Sequence, residues 1–151
     1  MLTKSIFFTI FLWSHLSAQN VEYLQSETFK QTNMPFSEAV RVGNLFFLSG
    51  QIGEVYTDIP GETKLVAGGI KPETRQTMEN IKSVLERNGL SLDNVVKCTC
   101  MLADISEWAE MSKEYIKFFP KNKPARSAFA GTGLAMGARV EIECIATVNE
   151  E

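Results

Sequence analysis

The sequence predicts a single α+β domain, a mixed β-sheet with two helices packed on one of its faces. Strand-like and helix-like stretches follow one another in the order strand, strand, helix, strand, helix, strand, strand. Each helical stretch carries one apolar stripe and so has one face to bury. With 44% hydrophobic and 22% charged residues over 151 positions, the chain can build one core. No repeat, low-complexity tract or linker divides it, so one domain is expected over residues 19–151.

The stretch Met1 to Ala18 stands apart. Lys4 precedes the apolar run Ile6-Phe7-Phe8-Thr9-Ile10-Phe11-Leu12-Trp13, and small residues Ser17-Ala18 lead into polar Gln19-Asn20. This is the pattern of a cleaved secretory signal peptide. An uncharged stretch of about 14 residues is shorter than the roughly 20 that span a bilayer, which argues against a membrane anchor. Residues 1–18 are therefore expected to direct export, with a periplasmic destination and no membrane association after cleavage.

In the body of the chain, Ala39–Val42 and Leu45–Ser49 flank Gly43-Asn44, the signature of a two-residue hairpin. Asp58-Ile59-Pro60-Gly61-Glu62 reads as a turn. Gly68-Gly69 introduces the first long helix, with Pro72 in its first turn and Met78, Ile81, Val84 and Leu85 on its apolar face, and Gly89 is placed to end it. Val95–Leu102 is a buried strand. Asp104-Ile105-Ser106-Glu107 resembles a capping box opening the second helix. Its apolar positions are Ile105, Trp108, Met111, Tyr115, Ile116 and Phe119, and Pro120 and Pro124 stop it. Strands Ala125–Ala130 and Arg139–Val148 close the order. Helices on one face leave the other face of the sheet bare, so an oligomer that covers it is expected.

Without residues 1–18 the chain has no histidine, and its 14 basic residues face 18 acidic ones, a formal charge of −4. That balance disfavours a nucleic-acid partner. Losing histidine removes Ser-His and Cys-His nucleophile pairs, the usual zinc chemistry and the commonest general base near neutral pH. Three cysteines, Cys98, Cys100 and Cys144, are too few and too oddly spaced for a disulfide framework or a metal site. Strand alternation puts Cys98 and Cys100 on one face, where buried free thiols fit best.

Two charged positions draw attention. Arg126 sits in Pro124-Ala125-Arg126-Ser127 among Ala128, Phe129 and Ala130, and small neighbours leave room for a guanidinium to fork onto a carboxylate. An internal ion pair or a path to solvent would explain it equally well. In Arg139–Val148, alternation sets Val140, Ile142, Cys144, Ala146 and Val148 on one face and Glu141, Glu143, Ile145 and Thr147 on the other. Acids on a strand face are usually solvated. Covered by a second subunit, at least one would need a partner such as Arg126 or a water.

Taken together, Leu48-Ser49-Gly50-Gln51-Ile52, Asn80 to Gly89 with Asn94-Val95-Val96-Lys97, Pro124-Ala125-Arg126-Ser127 and Val140-Glu141-Ile142-Glu143-Cys144-Ile145-Ala146 resemble the RidA/YjgF family of reactive-intermediate deaminases. The resemblance runs from about Met34 to Val148. It implies the chorismate-mutase-like fold, with the final strand inserted in the middle of the sheet and not paired as a hairpin. It also implies a homotrimer with ligand sites between subunits. Arg126 would grip the carboxylate of a small imine or keto acid, backbone groups near Ser49 and Gly50 would help hold it, and Glu141 would activate the water that attacks the imine carbon. No metal or organic cofactor would be needed. The site lining departs from the family pattern: Phe36 replaces a tyrosine at the mouth, Ser112 an asparagine on the second helix, Ala128 a cysteine, and Gly53 a proline. These changes point either to a deaminase of altered substrate preference or to a non-catalytic protein that binds or senses small carboxylates.

Overall fold

The computed structural model describes residues 20–148, so the expected signal peptide lies outside the described residues. Six strands form the main sheet: β1 (Val21–Leu24), β2 (Ala39–Val42), β3 (Leu45–Ile52), β6 (Val95–Leu102), β7 (Ala125–Ala130) and β8 (Val140–Thr147). A short hairpin, β4 (Glu54–Tyr56) and β5 (Thr63–Leu65), stands beside it. The helices are α1 (Glu27–Gln31), α2 (Ile70–Arg87) and α3 (Trp108–Tyr115).

The sheet order is β1-β2-β3-β8-β6-β7, with every pair antiparallel except β6 and β7. The α+β class holds, and the last strand sits in the middle, as the resemblance implies. Its alternation explains why it can. Val140, Ile142, Cys144 and Ala146 are buried under the helices, opposite Leu102, Cys100, Cys98 and Val95 of β6. The core lies between that face and the stripe Met78, Ile81, Val84 and Leu85 of α2, with Met111, Tyr115 and Phe119 filling in from α3 and the turn after it. All three cysteines are buried and free there. Burial pushes the Cys100 thiol up to about 12, so it is inert near neutral pH.

Local details follow the sequence at most boundaries. The two-residue turn joins β2 to β3 with Gly43 at φ 57°, and Gly89 takes φ 73° just beyond α2. The helix-opening motif behaves differently from expectation. Asp104 caps by accepting from Ser106 N at 2.8 Å, but Glu107 does not turn back to complete a capping box. Its carboxylate takes both oxygens to Arg139 Nε at 2.9 Å, tying the start of α3 to the residue that leads into β8. A turn of 3-10 helix therefore precedes α3, and α3 is shorter than the apolar spacing predicts. Strand β1, helix α1 and the β4–β5 hairpin are additions to the expected order.

Gly53 shows why a proline cannot stand there. A Cβ at this position would come within 2.7 Å of Glu73 Cα and 2.8 Å of Glu73 O, in the backbone of α2. Two asparagines of the family-like motifs also prove to be ties. Asn80 donates to the carbonyls of Ile52 and Glu54, at 3.0 and 2.9 Å, and Asn94 donates to Thr147 O at 3.1 Å. They fix β3, β4 and β8 relative to α2.

The sheet face away from the helices carries Leu45, Phe47, Met101 and Ile145, with Leu45 and Phe47 left exposed. It is the bare apolar face that the element order predicts.

Candidate functional site

The residues singled out in the sequence fall into two groups. Arg126, Ser112 and Ala128 gather at the edge of the sheet beside α3. Arg126 pairs in parallel register with Cys98, which in turn faces Cys144 on β8, so its side chain shares the helix-covered face. Its Nη2 donates to Ser112 Oγ at 3.1 Å, and its Cζ lies 5.4 Å from the Trp108 ring centroid and 5.0 Å from that of Tyr115. The guanidinium is thus held between two aromatic rings. Among the described residues, no carboxylate lies within ion-pair distance of it. The internal ion pair, the plainest alternative for this arginine, is not what occupies it.

Trp108, Ser112 and Tyr115 stand on one helical stripe, at spacings of four and three residues. The sequence marks Trp108 and Tyr115 only as apolar helix positions. That a small polar residue interrupts the stripe between two aromatics is the signal that could have revealed them as a clamp for a cation.

Glu141, Gly50, Ser49 and Phe36 form the second group, around the β3–β8 pair. The pairing of β3 with β8 shifts register between Leu48 and Gln51, which takes Ser49 and Gly50 out of regular ladder positions. The Glu141 carboxylate folds over Gly50, and a Cβ there would collide with Glu141 Oε1. Glycine is therefore what lets the acid lie flat on β3. Burial, and to a lesser degree the like charge of Glu143, raises Glu141 above the ordinary carboxylate range. Ser49 is committed locally. Its hydroxyl donates to Ser37 O at 2.6 Å and its N–H to Glu38 O at 3.2 Å, holding the segment that carries Phe36. The ring of Phe36 is exposed, 5.8 Å from that of Phe29.

A cavity of about 410 Å³ opens on the far side of this second group, between α1, β4 and α2. Phe36 and Gly50 line it, with the ion pair of Glu38 and Arg87 in its wall, but Arg126 and Glu141 do not.

The two groups do not meet within one chain. Glu141 projects from the face of β8 opposite to Ile142 and Cys144, while Arg126 projects from the face those residues share. Arg126 and Glu141 therefore make no contact within one chain. Among the described residues, no cluster of three or more His, Cys, Asp or Glu stands close enough to hold a metal ion. No described helix is long and apolar enough to cross a membrane.

Comparison with known proteins gives a consistent result. The family model described as endoribonuclease L-PSP matches residues 25–148. The human protein named 2-iminobutanoate/2-iminopropanoate deaminase is 38% identical over 112 residues, which cover 74% of this chain and 79% of that protein. Reactive Intermediate Deaminase A, chloroplastic, of Arabidopsis thaliana is 36% identical over 135 residues, covering 88% and 70%. Among solved structures, that of YEO7_yeast superposes with a TM-score of 0.76 at 39% identity, over 86% of this chain and 100% of that one.

Proposed function

The chain belongs to the endoribonuclease L-PSP family, here equated with RidA/YjgF, and from that premise we propose that it is a hydrolytic deaminase converting small 2-imino or enamine acids to 2-keto acids and ammonia. The observation that carries the reading is Arg126, an arginine pre-set between two aromatic rings and a hydroxyl, with no carboxylate partner among the described residues. A ligand carboxylate would complete it. The complete site forms between two copies of the chain, since Arg126 and Glu141 leave opposite faces of one sheet. A homotrimer that covers the bare face would supply the second copy.

In the reaction, Arg126 holds the substrate carboxylate and fixes the imine carbon near Glu141 of the neighbouring copy. Glu141 accepts a proton from water as the water oxygen bonds to the imine carbon, while the C=N π pair moves to the nitrogen and that nitrogen takes up a proton. The resulting carbinolamine nitrogen, once protonated, leaves as ammonia while the hydroxyl proton is lost and the keto group forms. Imines hydrolyse readily, so orientation and one general base account for the chemistry. The family description names an endoribonuclease, but the described residues contain no histidine to act as acid or base on RNA. Residues 1–18 are proposed as an export signal, which would place the reaction in the periplasm.

The test supplies the protein with imines generated by an amino-acid oxidase and follows keto-acid release. Turnover above the protein-free control is expected. Arg126→Ala should abolish both keto-acid binding and turnover. Glu141→Gln should retain keto-acid binding and lower turnover by roughly 10²-fold or more, the usual contribution of a general base. No rate above the control with any imine would contradict the assignment.

A further inference from the structure

Resting on the deaminase reading, we infer that Trp108 sets the substrate class, and that the site takes 2-imino acids with branched or aromatic side chains of leucine to phenylalanine size in preference to the shortest ones. The argument starts at the guanidinium. A carboxylate forked onto Arg126 places its α-carbon roughly 5 Å from the guanidinium nitrogens. Beside the guanidinium stand Trp108, Tyr115 and Ser112, with Ala128 two residues further along the same face of β7.

Tyr115 is buried in the core and its ring is closed to a ligand, whereas Trp108 is 45% exposed although its ring lies against Arg126. Ser112 and Ala128 are small. Ala128 follows Arg126 by two in β7 and so shares its face, where it presents only a methyl group beside the anchor. One helical step before Trp108, Ile105 is 55% exposed and extends the same apolar wall. A large exposed indole, an exposed isoleucine and two small neighbours at a carboxylate anchor offer an apolar surface to a substrate substituent. A methyl group would leave most of that surface wet. A larger side chain would cover it and gain in proportion to the area removed from water.

The experiment measures kcat/KM with imines generated from alanine, leucine and phenylalanine, for the wild-type protein, Trp108→Phe and Trp108→Ala. The wild type should favour the leucine and phenylalanine imines by about tenfold or more, the scale expected for burying several methylenes. Trp108→Ala should reduce that preference at least about fivefold, and Trp108→Phe should fall between. Because Trp108 also flanks Arg126, both variants can lower every rate together. A common fall with the leucine-to-alanine ratio unchanged assigns Trp108 to holding the arginine alone and overturns the inference. A wild-type preference for the alanine imine overturns it as well. Turnover of no imine at all contradicts the deaminase reading itself, and the inference falls with it.

Discussion

Arg126 is placed before any ligand arrives. The two rings and the Ser112 hydroxyl restrict its rotamers, so little conformational freedom would be left to lose on binding the proposed substrate carboxylate. Glu141 is tuned in the opposite sense, lifted by burial and by Glu143 toward a state in which its proton is held more firmly. As the proposed general base Glu141 must be ionised, so activity is expected to be lost as pH falls through that raised value. Glu143→Gln removes the like charge and leaves the burial, so the acidic limb of the kcat/KM profile should move to lower pH in this variant. An unmoved limb would detach Glu143 from the tuning of Glu141, and a shift to higher pH would contradict the sign. Both positions are visible in the sequence, Arg126 as a charge among small residues and Glu141 beside Glu143 on one face of β8, but the choice of Glu141 over Glu143 came through the resemblance. The clamp on Arg126 is not, because Trp108 and Tyr115 serve the apolar stripe and the cation at once, and periodicity reports only the first.

At the level of elements, the bulge in β3 does for Glu141 what α3 does for Arg126. It brings Gly50 under the carboxylate, where a side chain would displace the acid and leave the backbone untouched. Gly50→Ala should therefore keep the melting temperature within a few degrees while lowering kcat at least about tenfold, since only the end of a flexible side chain has to move. A large loss of stability would show that the strand, and not the acid, depends on this glycine. The hairpin at Gly43, the stripe of α2 and its end at Gly89 follow from local chemistry and are visible in the sequence. The central place of β8 does not follow, because a strand with one buried face alternates in the same way at the middle of a sheet or near its edge. That placement came through resemblance, from motifs whose Asn80 and Asn94 prove to be the ties that fix neighbouring strands. Strand β1, α1 and the β4–β5 hairpin are too short, and their residues too exposed, to leave a period.

For the whole molecule, one sheet has its helices and its arginine on one side and its acid on the other, together with uncovered Leu45 and Phe47. In the proposed homotrimer, association would bury the apolar face and complete the site in the same step, tying catalysis to assembly. Bare faces are legible from the count and order of helices. The separation of Arg126 from Glu141 is not, because it depends on the register of β6 against both β7 and β8. The most direct test combines two inactive variants, Arg126→Ala and Glu141→Gln, by co-expression or by refolding them together at equal amounts. If each site takes its arginine from one copy and its acid from another, random assembly leaves about one site in four with both groups intact, and about a quarter of the wild-type activity should return. If activity in the mixture stays at the level of the separate variants while mixed oligomers are present, the site lies within a single chain and the account is wrong.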